Sequence, residues 1–241
     1  MTLSKSKLKE LSAYRLQKNC DKDDVFVVEG DKMAREALEL GLNIQVLCAT
    51  SDWLEENKPS CNAFEISGEE LSRLSNMRQP NRVWMLLSRQ LPPTGLPHCG
   101  LTLALDCVQD PGNMGTIIRT ADWFGIRQIV CSSNTVSCFN PKVVQSSMGS
   151  LFRVAVKYTK LTDWIGECKL PVFGALLDGD DVRDAEFPLP AVLVMGNESK
   201  GISEDVRNLL THSVFIPNLG GSCESLNVAS ATAILIARWR L

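Results

Sequence analysis

The chain has 241 residues, 44% of them hydrophobic, and a formal net charge of −3, enough for one large domain or two small ones with real cores, and not a bulk polycation. No run approaches the roughly 18–20 apolar residues of a membrane-spanning helix. Nine cysteines without a CxxC pair fit a reducing, cytoplasmic compartment better than a disulfide framework, and the two histidines, His98 and His212, lack neighbours at metal-ligand spacing, so neither a metal site nor a histidine-based triad is expected.

The N-terminal MTLSKSKLKELSAYRLQK is basic, lacks the apolar centre of a signal peptide, and reads as a first helix. Residues 1–22 carry Lys5, Lys7, Lys9, Arg15, Lys18 and Lys22 against Glu10 and Asp21. Strand and helix signals then alternate. VFVVEG (25–30) is a β-branched run; DKMAREALELG (31–41) opens with an Asp cap and closes at Gly41; IQVLCA is a strand and SDWLEEN a Ser-capped helix. NAFEIS, GEELSRLS and RVWMLLS continue a small α/β pattern. Arg73, Arg78, Arg82 and Arg89 lie in a stretch with no acid, which reads either as a phosphate-neutralising cluster or as a solvated basic face.

LPPTGLPHCG (91–100) has the composition of a linker. Beyond it come more hydrophobic strands: LTLALD (101–106), QIVCS (128–132), PVFGAL (171–176), AVLVMG (191–196) and VFIP (214–217). Near-continuous apolar runs of this kind suit central strands of a parallel sheet covered on both faces. Helices are expected at 113–125, 140–149, 161–168, 203–210 and 225–239.

In such a sheet, ligands bind beyond the carboxyl ends of the strands. Three polar, glycine-containing loops lie there: DPGNMGTIIRTADWFG, MGNESKGIS and IPNLGGSCESLN. None is GxGxxG or GxxxxGK[ST], so the common dinucleotide and nucleoside-triphosphate readings fail. Each loop alone also has a plain structural reading. Asn113 can cap a helix, Arg119 can pair with Asp122, Ser225 is a natural N-cap, and Glu198 and Asn227 can simply face solvent.

Taken together, DPGNMGTIIRTADWFG, LVMGNESKGIS and IPNLGGSCESLNVASATAIL resemble the three motifs of the SpoU (TrmH-like) branch of the SPOUT superfamily of RNA methyltransferases. FNPKVVQSSMGSLFRV resembles the stretch between the first two motifs. DVFVVEGDKMAREALE resembles the family's RNA-binding extension, a small α/β domain akin to a ribosomal protein. Met114 stands where Ile is more usual, a tolerable swap in volume.

The resemblance implies an α/β fold: a substrate-binding domain at 1–92, a linker at 93–100, and a methyltransferase domain at 101–241 with a parallel sheet and a deep trefoil knot. It implies S-adenosylmethionine as methyl donor, held largely by backbone groups at Met195, Gly196, Ile216, Ser225 and Leu226, with no metal. The implied reaction is methylation of a ribose 2′-hydroxyl in RNA, ribosomal RNA (23S) before transfer RNA. A non-catalytic RNA-binding protein that kept the fold is the rival from another class.

Arg119 is the residue the resemblance assigns to activating the hydroxyl. Its guanidinium is effectively always protonated, so holding a phosphate and stabilising the incipient alkoxide suits it better than the role of base. Asn113 is expected to orient Arg119 or the ribose, and Glu198 to anchor Arg119. Ser225 and Asn227 would order the third motif. SPOUT active sites are completed across a homodimer, so a homodimer with RNA as partner, and no membrane, is expected.

Overall fold

A computed structural model describes residues 2–89, 92 and 100–241. Most of the expected linker, residues 93–99, lies outside the described residues. In chain order the elements are α1 (Lys5–Ser12), α2 (Gln17–Lys22), β1 (Val25–Glu29), α3 (Asp31–Glu39), β2 (Ile44–Ala49), α4 (Ser51–Asn57), β3 (Ala63–Glu65), α5 (Gly68–Leu74) and β4 (Val83–Ser88). They continue as β5 (Leu101–Leu105), α6 (Pro111–Trp123), β6 (Gln128–Ser132), α7 (Pro141–Ser147), β7 (Ala155–Thr159), α8 (Leu161–Glu167), β8 (Val172–Asp181), β9 (Ala191–Met195), α9 (Glu204–Arg207), β10 (His212–Phe215) and α10 (Val228–Arg240). Two compact units form: Met1–Gln90 with Phe139–Gly149, and Leu91–Cys138 with Ser150–Leu241.

The first unit holds a four-stranded mixed sheet in the order β1-β4-β2-β3, with β4 antiparallel to both neighbours and β3 parallel to β2. Leu8, Leu11, Val25, Val27, Val46, Leu71, Leu74 and Trp84 pack into one core. Helix α5 starts with a reciprocal capping box between Ser67 and Glu70. Two expected caps are displaced by one residue. Gly30, at φ 98°, caps α3 and leaves Asp31 in its first turn, accepting from the Trp53 indole at 2.6 Å; Thr50, not Ser51, precedes α4. Helix α7 is shorter than expected because Met148 and Gly149 take left-handed conformations. Phe139, just before α7, packs its ring 5.0 Å from that of Phe26 and beneath the Arg89 guanidinium.

The arginine cluster is mostly spent inside this unit. Arg73 pairs with Glu69, Arg82 with Asp52 and Glu56, and Arg89 with Asp21. Three of the four thus already have an acidic partner, distant in sequence or one helical turn away. Arg78 stays exposed without an ion pair among the described residues, as do Lys5, Lys9, Lys18 and Lys22. Glu29, at the end of β1, is buried and accepts bonds from the Ser75 hydroxyl and the Asn76 amide. Burial pushes its carboxyl up, against those two bonds.

The second unit is built on six strands in the order β10-β8-β9-β5-β6-β7, every neighbouring pair parallel. Strands β5 and β9 are buried at every residue, as their unbroken apolar runs require. Strand β7 lies outside the expected pattern: Lys157 interrupts its apolar run because the strand is at the sheet edge, where its later residues meet solvent. Helix α9 covers four residues rather than eight, because the Leu209 and Leu210 amides turn back to carbonyls only three residues away and tighten the chain.

Candidate active site

Because all six strands of the second unit point one way, the loops after β5, β6, β9 and β10 leave from one edge of the sheet. Strand order reverses between β5, which leads outward to β6 and β7, and β9, which leads to β8 and β10. This is a topological switch point, where open parallel sheets make their ligand crevices. The first and second polar loops leave from these two adjacent strands.

Three of the expected residues meet there. The Asn113 amide nitrogen donates to Glu198 Oε1 at 3.0 Å, and its oxygen accepts from Asn227 Nδ2 at 2.8 Å. Glu198 also faces the Gln109 and Asp110 amides, at 3.5 and 3.3 Å. Partial burial opposes its ionisation, but the bonds from Asn113 and the loop amides outweigh that and hold the carboxyl below the usual glutamate range. A chain of polar groups thus joins side chains 85 and 114 residues apart.

Several local pairings turn out otherwise. Asp110, not Asn113, caps α6, accepting from the Asn113 amide at 2.8 Å with Pro111 at the first helical position. That leaves the Asn113 side chain free to bridge. Asn227, not Ser225, caps α10, so the helix begins at Val228 rather than 225. Asp122 pairs with Arg153 at 2.6 Å and sits near Arg127, so it is not the partner of Arg119. Glu198 holds Asn113 and does not hold Arg119. Arg119 is exposed on α6 and makes no hydrogen bond or ion pair among the described residues; the exposed Ser225 hydroxyl makes none either.

A family model described as the SpoU rRNA Methylase family matches residues 100–237, and one described as the MRM3-like substrate binding domain matches residues 5–84. The chain belongs to the SpoU rRNA methylase family. It is 29% identical, over 97% of its length and 96% of the relative's, to the 23S rRNA (guanosine(2553)-2′-O)-methyltransferase RlmP of Bacillus subtilis. Its fold matches a candidate TrmH-family RNA methyltransferase from Porphyromonas gingivalis with a TM-score of 0.89 at 38% identity, covering 100% of this chain and 99% of that one. An AdoMet-bound rRNA methyltransferase from Sinorhizobium meliloti matches with a TM-score of 0.89 at 29% identity, covering 100% and 96%.

The second and third SpoU motifs also set the strand ends where the methyl donor is expected. Gly196 follows β9, and a Cβ there would fall 2.2 Å from the Gly201 carbonyl carbon, so only glycine lets the loop close on itself. Asn197 and Gly201 exchange two backbone bonds across that loop. Met195 is buried and Ile216 half-buried, while Leu226 is 51% and Leu219 84% exposed. Apolar side chains left open among loop backbone groups suit a flat purine. Among the described residues, no group of three or more His, Cys, Asp or Glu is placed to hold a metal ion.

Four residues of this SpoU site escape sequence reasoning. Asp110 aims α6. Asp106 is buried and accepts from the Ser203 amide at 2.8 Å, tying the β5 end to the start of α9. Asn197 accepts from the Ser199 and Lys200 amides and donates to the Cys107 carbonyl at 2.8 Å. Ser132 accepts from the Cys107 amide at 2.8 Å. Asn197 and Asp110 carry local signals: an Asn four residues before a glycine is a turn former, and an Asp followed by proline marks a helix start.

Proposed function

We propose that this chain methylates a ribose 2′-hydroxyl in ribosomal RNA, with 23S RNA as the molecule acted on. The observation that carries the reading is the convergence of Asn113, Glu198 and Asn227 from three loops at the β5/β9 switch point. Family membership and the names of the full-length relatives support it. S-adenosylmethionine, held by Met195, Gly196, Ile216, Ser225 and Leu226, supplies an electrophilic methyl when bound.

The chain's own residues then position a weak nucleophile. Glu198, ionised, fixes the Asn113 amide, which keeps one N–H to present to the ribose. Asn227 orders Asn113 from the other side while capping α10. Arg119 holds the neighbouring phosphate and stabilises charge developing on the attacking oxygen. Ser225 orders the loop that carries Leu226.

The site is completed by a second copy of the chain, which brings its own Arg119. Support comes from α6, where Arg119 is free and Trp123, one turn on, is 86% exposed, and from the adjoining α10, where Ile234 is 42% exposed. The C-terminal segment is read as knotted, consistent with Asn227 reaching Asn113 across the switch point. The substrate-binding domain, proposed at residues 1–92, grips RNA through the exposed lysines of α1 and α2 and through Arg78. No described helix is long and apolar enough to cross a membrane, and the reaction on ribosomal RNA is assigned to the cytoplasm.

The test is transfer of labelled methyl from S-adenosylmethionine to unmodified total RNA, separated by size and hydrolysed with alkali. A 2′-O-methyl blocks attack of that oxygen on its phosphate, so label is expected in alkali-resistant dinucleotides from 23S RNA. Label only in transfer RNA would overturn the substrate, and no label in any RNA would overturn the reaction.

A further inference from the structure

Cys107, the second residue past β5, stands in the left-handed region at φ 60°. A residue with a Cβ seldom adopts that conformation unless its surroundings hold it there. Here both of its backbone polar groups are bound by side chains distant in sequence, one at the end of β6 and one in the loop after β9. The Cys107 N–H donates to Ser132 Oγ at 2.8 Å, and the Cys107 carbonyl accepts from Asn197 Nδ2 at 2.8 Å.

Ser132 is itself fixed. It is buried, donates to Asn134 Oδ1 at 2.6 Å, and lies 3.0 Å from the Thr135 hydroxyl, which bonds the Leu105 carbonyl. The Val136 amide adds a backbone bond to the Val108 carbonyl. The loop after β6 therefore grips residues 105–108, although it contributes nothing to the Asn113–Glu198–Asn227 chain.

The direction the backbone takes after Cys107 governs the aim of the groups beyond it. It turns the Gln109 and Asp110 amides toward Glu198 and sets Asp110 to cap α6, which carries Asn113. We propose that Ser132 and Asn197 are positioning residues that hold Cys107 in its left-handed turn and thereby aim these groups at Glu198. The reactive relevance of this clamp rests on the methyltransferase reading above. The clamp itself does not.

Ser132→Ala is the decisive variant, because it deletes one hydroxyl that makes no bond to Asn113, Glu198 or Asn227. Hydrogen exchange over residues 105–113 and steady-state methyl transfer are measured on the full chain. Exchange there is expected to speed up, and kcat to fall about tenfold or more while KM for S-adenosylmethionine stays within about threefold. Adding Cys107→Gly is expected to restore most of the lost kcat, since glycine adopts the left-handed turn without strain. Adding Cys107→Ala removes the same thiol but keeps the strain, and is expected to restore nothing.

Exchange and kcat both unchanged in Ser132→Ala would overturn the proposal, as would equal rescue by alanine and glycine or rescue by neither. Asn197→Asp supplies a second reading: it keeps the acceptor for Ser199 and Lys200 but loses the donor to Cys107, and it too should loosen 105–113. If the wild-type protein methylates no RNA, the functional reading fails by itself. Faster exchange in Ser132→Ala would then still support the clamp, and unaltered exchange would still refute it.

Discussion

Glu198 is a loop carboxylate that must be ionised to do what its neighbours ask of it. Its folded pKa lies below the ordinary value of 4.5, so its contribution is fully present above that pH and is lost as pH falls through the lowered value. The methyl-transfer rate should therefore show no inflection from this group between pH 5 and 9. Glu198→Gln replaces one of the two oxygens with an NH2, which then faces either the Gln109 amide or the Asp110 and Asn113 N–H groups, donors themselves. That substitution is expected to lower kcat about tenfold or more at every pH, measured by initial rates across the range. Arg119 acts differently, since it braces nothing among the described residues. Arg119→Ala should nearly abolish transfer while leaving S-adenosylmethionine affinity by calorimetry, and the melting temperature, as in the parent protein.

Helix α10 shows how one residue serves two ends at once. Asn227 Oδ1 caps the helix, accepting from the Ala229 and Ser230 amides, while its Nδ2 donates to Asn113. The two tasks separate by substitution. Asn227→Asp keeps an oxygen for the cap and loses the donor, so it should melt within about 2 °C of the parent yet transfer methyl poorly. Asn227→Ala loses both, adding a cap cost of about 1 kcal/mol, or about 2–4 °C of melting temperature in a chain this size. The basic helices α1 and α2 make a complementary case. Replacing Lys5, Lys9, Lys18 and Lys22 with Gln should weaken RNA binding and flatten its salt dependence. Arg82→Ala, which breaks pairs with Asp52 and Glu56, should cost stability and spare RNA affinity.

Elements of this kind also mark what is legible in the sequence. The buried strands β5, β6 and β9 are legible because burial on both faces leaves an unbroken apolar run. Strand β7 is not, because an edge position admits Lys157. Resemblance names Asn113, Glu198 and Asn227 together, and they meet in the structure, but the bonds they make there are not legible. Ser225 and Asn227 are equally good caps by local rules, and a bond to Asn113 chooses between them. Asp122 suits Arg119 at helical spacing, yet Arg153, 31 residues away, takes it with a two-pronged contact. Ser132 gives no signal at all, since nothing local distinguishes a serine ending a strand from one that grips another loop.

For the whole molecule, Trp123 and Ile234, exposed on adjoining helices, are the apolar side chains that the proposed second copy would cover. Light scattering at micromolar concentration is expected to give twice the chain mass. Trp123→Glu should give the single-chain mass and lose transfer with it, because each Arg119 would then lack the site it completes. A single-chain mass for the parent protein would remove the dimer from the account.

The bond between Asn113 and Asn227 spans 114 residues. Contacts so distant along the chain form late, after the loop between them has been ordered. A growing polypeptide can complete β5, α6 and even the Glu198 loop and still hold Asn113 by one side only. No shortened product lacking residue 227 can assemble the polar chain, however well its sheet has formed. A chain cut short of residue 227 is therefore expected to hold Asn113 through Glu198 alone, with the other side of that amide open to water.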